Sequence, residues 1–221
     1  MGSTAPFAGS ARRFFEALLL ALLVATPVAA ARAAPTAERA AYDALVERAR
    51  AGDRTLDLAE LREAAVRADV ETHGDLKEAL WNAVKSRDDK AVQRAANAVL
   101  AQNYVDLDAH FFARIAARRL GDAEREELHE WIELGLLEVL VQTGDGRSKK
   151  TPMAVIDVAD EYFILRTMGL NLRKQSLGKC TRDSGEVPCD YMDVVDEDGK
   201  ESTWYFDVSI PMARLSRALG N

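Results

Sequence analysis

Asn103–Asp122 reads NYVDLDAHFFARIAARRLGD, and its interpretation decides the fold. A polar turn leads into one helix with a hard stop. Asp106 or Asp108 can cap the N-terminus, because a short side-chain oxygen accepts from the free amides of a first turn. Phe111, Phe112, Ile115, Ala116 and Leu120 recur at three- and four-residue spacing and predict one apolar stripe. Arg118 and Arg119 fall in the last turn, where positive charge suits the helix dipole. Gly121 can take the left-handed conformation that ends a helix, and Asp122 caps the next one. The stretch therefore predicts two antiparallel helices joined by a very short turn.

Working outward, the helix after Asp122 uses Leu128, Trp131, Ile132, Leu136, Val139 and Leu140. Before Asn103, a helix carries Val92, Ala95, Ala96, Val99 and Leu100. Another starts near Asp75 with Leu76, Leu80, Ala83 and Val84 inward and Trp81 beside them. Asp57 and Glu60 open a helix with a capping-box pattern. Tyr42, Leu45, Val46 and Ala49 mark the first helix, which ends at Gly52. The hairpins resemble the tetratricopeptide repeat, whose helix pairs stack into a groove. Arg114 and Glu126 depart from that pattern, since they stand where the repeat has small residues.

Beyond Gly144-Asp145-Gly146 the period changes. Ala154–Val158 is strand-like, and Asp160 is expected to cap a short helix through Met168. From Leu172 the period falls to two, with strands over Lys174–Cys180 and Asp190–Val195 and a third around Trp204, Phe206 and Val208. Asp198-Gly199 signals a two-residue hairpin turn. Pro211 starts a last helix with Met212, Leu215 and Leu219. The expected class is α+β and mainly helical: tetratricopeptide-like hairpins over residues 34–143, then a small antiparallel sheet with flanking helices over residues 144–221, packed on the first region.

The first 33 residues follow the order of a secretory signal: Arg12-Arg13, an apolar run from Ala17 to Ala25, then Pro27 and small residues. Cleavage is expected after Ala30 or Ala33, which leaves no stable membrane anchor, because a spanning helix needs about 20 apolar residues. Arg12-Arg13-Phe14-Phe15 partly matches a twin-arginine signal, with Glu16 departing from it. The chain carries a formal charge of −7, and the leader's net +2 leaves −9 for the remainder. An acidic surface argues against nucleic acid, whose affinity rests on Lys and Arg at phosphates. The expected location is the periplasm or the extracellular space.

Cys180 and Cys189 are the two cysteines. In an oxidising compartment they could bridge the base of a hairpin loop turned by Asp183-Ser184-Gly185. Their spacing is not that of a metal or redox pair.

Catalytic patterns are weak throughout. His129-Glu130-Trp131-Ile132-Glu133 has the start of a zinc-protease helix, but Glu133 replaces the second histidine, and a charged outer face is expected. Asp106, Asp108 and His110 could cluster, although capping accounts for the aspartates. Asp193, Asp196 and Asp198 glance at a calcium loop, yet Val194 holds the first ligand position. Gly144–Lys149 lacks the second glycine of a phosphate loop. No catalytic residue, metal or cofactor is assigned.

One ordered set of residues remains: Tyr42–Leu45 with Gly52-Asp53, Asn103-Tyr104 through Asp108–His110, Leu120–Asp122, Gly144–Gly146, Glu161-Tyr162 with Leu165 and Gly169-Leu170, Gln175–Leu177 and Tyr205-Phe206. In that order the chain resembles the bacterial family catalogued as domain of unknown function 4919. The Tyr-rich stretch expected after the second helix is absent near Ala64–Gly74, and Cys180–Cys189 decorates the usual hairpin. The resemblance implies export and helical hairpins joined to a small sheet, with no known activity. The reading is an exported envelope protein that serves interaction or structure by meeting an envelope protein or peptide. The rival is a small-molecule binder or hydrolase with a site between the helices and the sheet, near Gly144 and Tyr162.

Overall fold

The computed structural model describes residues 35–220; the leader-like segment and both cleavage positions lie outside them. Six helices come first: α1 (Ala37–Arg50), α2 (Leu58–Arg67), α3 (Gly74–Ser86), α4 (Asp89–Gln102), α5 (Leu107–Leu120) and α6 (Ala123–Gln142). Then follow β1 (Met153–Ala154), α7 (Val158–Thr167), β2 (Asn171–Arg182), β3 (Gly185–Val195), β4 (Glu201–Asp207) and α8 (Ser209–Ala218). The protein is α+β and mainly helical.

Short polar side chains start most of the helices. Thr36, Asp57, Asp88, Asp106, Asp122 and Asp157 each accept from an amide of the first turn, which satisfies donors the helix itself cannot. Helix α7 is thus capped by Asp157 and not by Asp160, which lies inside the helix and is buried. Gly121 adopts φ +75° between α5 and α6, a conformation that strains any side chain with a Cβ.

Consecutive helices pack against one another from α3 to α6, α1 packs on α2, and α2 also reaches α6. The interior of α5 differs from the expected stripe. Its buried residues are Leu107, Asp108, Ala109, His110, Ala113, Ala116 and Ala117, whereas Phe111, Phe112 and Ile115 are half-buried and Leu120 is exposed. The reason is the close fit of α4 and α6 on both sides, where alanine leaves room for neighbouring backbones. The phenylalanines work laterally: Phe112 meets Trp81 of α3 edge-on at 5.1 Å, and Phe111 meets Phe163 of α7 at 6.1 Å.

The sheet has the order β1-β4-β3-β2 and is mixed. The expected antiparallel hairpins β2–β3 and β3–β4 are present, but β1 joins β4 in parallel. A helix and a hairpin separate β1 from β4 in the chain, so the connection is a crossover. The β2–β3 hairpin is longer than its alternation predicted, and it turns at Asp183-Ser184. Gly144 is held tightly against the β1 approach, where an added Cβ would overlap the Pro152 and Thr151 carbonyls. Helix α8 starts at Ser209, ahead of the expected Pro211; Met212, Leu215 and the C-cap Leu219 are exposed, and Arg214 is the buried residue. Its guanidinium donates to the carbonyls of Ile156 at 2.6 Å and Val70 at 3.1 Å, which uses the inner side of the helix for hydrogen bonding.

Candidate functional site

Charged side chains from four helices meet where the N-termini of α5 and α7 approach each other. Asp106 Oδ1 accepts from Ala109 N at 3.0 Å as the cap of α5. Its Oδ2 pairs with Lys77 and accepts from the Thr72 hydroxyl at 3.1 Å. Asp108, two residues further along, pairs with Arg166 from the last turn of α7. Asp160 Oδ2 receives Arg62 of α2 at 3.0 Å and the Ile156 amide at 3.2 Å. Arg62 also donates to Ala154 O at 3.3 Å, tying α2 to β1.

Burial pushes the Asp108 and Asp160 carboxyls upward against the pull of Arg166 and Arg62. Burial opposes the Lys77 ammonium, yet Asp106, with Asp157 and Asp108 nearby, leaves its pKa raised. The space among these groups is about 10 Å³, room for one water. Chemically this is a set of internal ion pairs around a nearly filled cavity.

His110 does not join Asp106 and Asp108. It turns toward α6, where its Nδ1 lies 3.0 Å from His129 Nδ1, and its Nε2 lies 2.8 Å from Tyr104 O. A carbonyl only accepts, so His110 carries its proton on Nε2, and the His129 Nδ1–H donates to His110 Nδ1. Burial lowers His110 to about 3, with the His129 charge adding to the effect, and burial lowers His129 to about 4. Both imidazoles are neutral. Beside them Arg114 makes two bonds to Glu133, at 2.6 and 3.2 Å. His129 and Glu133 are buried against α5, so the expected charged outer face is the inner one. The Tyr42 hydroxyl accepts from Tyr104 N at 2.7 Å and locks the turn before α5 from α1. Burial raises both tyrosines to about 12.

A third cluster lies between α7 and the sheet. Glu161 is fully buried, and neither carboxyl oxygen has a hydrogen-bond partner. Burial, with Asp190, Asp160 and Asp157 nearby, raises it to about 9, so it is a neutral acid at pH 7. Tyr162 donates to Gln175 Oε1 at 2.8 Å, and Gln175 Nε2 donates to Asp190 at 2.5 Å. Trp204 Nε1 is also buried without a partner, while Arg147 stacks on its ring at 3.7 Å. Sequence reasoning noted Glu161-Tyr162 but gave Glu161 no role. The signal was there: Glu161 stands three and four residues before Ile164 and Leu165, on the apolar stripe of α7.

The remaining candidates resolve into local structure. Asp196 Oδ1 accepts from Asp198 N and Lys200 N, at 3.1 and 2.9 Å, within the β3–β4 turn. Asp145 accepts from Arg147 N and the Thr151 hydroxyl in the loop before β1. Among the described residues no three His, Cys, Asp or Glu side chains converge as a metal set.

Cys180 and Cys189 lie at disulfide distance with Cα atoms 5.4 Å apart. They sit inside the β2–β3 ladder, where Cys180 opposes Val187 and Cys189 opposes Gly178, and not at the base of a loop.

Neither a curated protein nor a solved structure matches the chain. A family does, and the residues read above as resembling it, among them Tyr42, Asn103-Tyr104, Asp108, His110, Glu161-Tyr162 and Gln175, lie in or beside the three clusters. With residues 34–217 matched, the chain belongs to the family described as Domain of unknown function (DUF4919).

Proposed function

We propose that this protein is an exported, non-catalytic interaction module of the bacterial envelope. One observation carries the reading. The ionic groups at the junction of α5 and α7 are held by each other around space for a single water. A hydrolase or small-molecule binder centred there needs an open, substrate-sized pocket with polar groups free to engage a ligand. The larger concavities are shallow instead, and the one beside α8, about 340 Å³, mixes Ile156, Val158 and Leu215 with Glu71, Asp157 and Arg214, whose guanidinium is already bonded to the Ile156 and Val70 carbonyls. The groove between α2 and α6 is about 460 Å³ and is lined by Leu56, Leu58, Trp131, Leu134 and Val139 together with Asp57, Glu138 and Gln142. The leader-like sequence and the cysteine pair at disulfide distance support an oxidising, exported setting. Stacked helix pairs in the manner of tetratricopeptide repeats fit the same role.

The test is cross-linking of the tagged full chain in intact cells, read by mass spectrometry, with alkylation of Cys180 and Cys189 in the same cells. A reproducible protein partner together with unreactive, oxidised cysteines is expected. A chain that stays alone and monomeric across growth conditions, with reactive thiols, overturns the proposal.

A further inference from the structure

Strand β2 ends the sheet order, so one of its sides has no neighbouring strand. Which residues face that side follows from the ladder. Pro188 O accepts from Val208 N, so the backbone of Pro188 points toward the β4 side of β3. Lys179, opposite Pro188, therefore points its own amide and carbonyl outward. Alternation then turns the backbone groups of Thr181, Leu177 and Gln175 outward as well.

Half of this edge is closed. Thr181 N donates to Lys149 O at 2.8 Å. The Tyr191 side chain crosses Gly178, where a side chain would collide with its ring. Its hydroxyl accepts from Lys179 N at 2.9 Å and donates to Lys179 O at 2.5 Å. The other half is open. Among the described residues nothing takes the outward amides and carbonyls of Gln175 and Leu177. A register shift at Arg173 ends the regular ladder just before them.

The side chains beside the open half have a definite character. Leu177 is 60% exposed and Tyr162, tied to Gln175, is 40% exposed, so an apolar shelf lies next to the free backbone. Strand β2 contains Arg173, Lys174, Lys179 and Arg182 and no acidic residue, in a chain of charge −7. Lys179 is paired with Glu186 and Arg182 with Asp207, while Arg173 and Lys174 have no ion pair among the described residues. Basic side chains on a free edge repel a second copy of the same edge and attract an acidic strand.

We propose that the outer edge of β2 from Arg173 to Leu177 receives an extended, acidic peptide segment of a partner protein as an added strand. Backbone hydrogen bonds to Gln175 and Leu177 would hold it, Arg173 and Lys174 would select its charge, and the Tyr191 hydroxyl would stop it at Lys179. This deepens the interaction reading and rests on it.

The test uses the full chain, isotope-labelled, and two probe heptapeptides: one alternates valine with glutamate, the other valine with lysine. The acidic probe should shift the amides of Gln175 and Leu177 saturably, and the basic probe should not. Leu177→Pro removes one outward amide without touching the β3 ladder. That variant, and separately R173E/K174E, should each weaken the acidic probe on the order of tenfold. Because the charge reversal alters only exposed side chains, it decides the matter should Leu177→Pro fail to fold. Equal binding of both probes, shifts confined to other elements, or pairing of two copies through β2 overturns the proposal. In cells, a partner whose cross-links map away from β2 refutes this edge and leaves the interaction module standing, whereas the absence of any partner removes both.

Discussion

The α5–α6 seam and the α7–sheet seam both bury ionisable side chains, but they treat them in opposite ways. In the first, His110, His129, Arg114 and Glu133 all have partners. In the second, Glu161 and Trp204 Nε1 have none. A paired buried charge resists removal of its partner, whereas an unpaired buried acid is tolerated only because it stays protonated. The first seam is built for fit. The second holds an acid at a stability cost, and the open edge of β2 lies beside it through the link from Tyr162 to Gln175.

Arg114→Met should break the comparison from the paired side. It strands Glu133, which is buried, and should destabilise by about 3 kcal/mol in urea unfolding. The double variant R114M/E133M should recover most of that loss. An unchanged midpoint for Arg114→Met would mean that the first seam does not depend on its ion pair.

Glu161→Met should move stability the other way. The folded acid is near 9 and its ordinary value is 4.5, so between these pH values the folded state holds a proton the unfolded chain has released. Stability therefore falls as pH rises through that window, by up to about 1.4 kcal/mol per pH unit, and reaches a cost of about 3 kcal/mol at pH 7. Glu161→Met should gain an amount of that order at pH 7 and nothing near pH 4.5. The histidines act in reverse. His110 and His129 are depressed from 6.5, so their contribution is present above pH 6.5 and is lost as pH falls toward 4. The wild type should thus be most stable near pH 6.5. The variant should lose the rise from pH 9 to 6.5 and keep the fall below it. Thermal unfolding across pH checks this, and an identical profile for both proteins would sink the buried-acid account.

The smallest effect is expected at the cysteines. Replacing Cys180 and Cys189 by serine opens a short loop and should cost about 2 kcal/mol in the oxidised protein. Long β2 and β3 strands already hold the two positions together, so the hairpin should survive. Equal urea midpoints for the oxidised protein and the variant would show that the bridge adds nothing.

Much of the architecture was legible in the residues. Capping aspartates and Gly121 marked helix ends because those signals act over three or four neighbours. Asp198-Gly199 marked its hairpin for the same reason, although the turn runs over Asp196–Lys200 and is longer than the two residues expected. The misreadings share one cause, since a local pattern says which side chains share a face and not what lies against it. Asp160 looked like a cap, but Arg62, far away in the chain, draws it inside. His129 and Glu133 looked like an outer face, but α5 supplies His110 and Arg114 to receive them. Met212 and Leu215 marked the last helix but not its inner side, which Arg214 takes by finding carbonyls from two distant segments.

By itself, then, the sequence determined the mainly helical α+β class, most helix boundaries, the places of the two hairpins and the family. These depend on periodicity, caps and turn residues, which are near-neighbour effects. Tertiary structure alone decided the parallel placement of β1, the pairing of each buried charge, the isolation of Glu161 and the half-open edge of β2. Each of these depends on which distant backbone or side chain arrives to satisfy, desolvate or leave bare a polar group, and near-neighbour spacing carries no record of that.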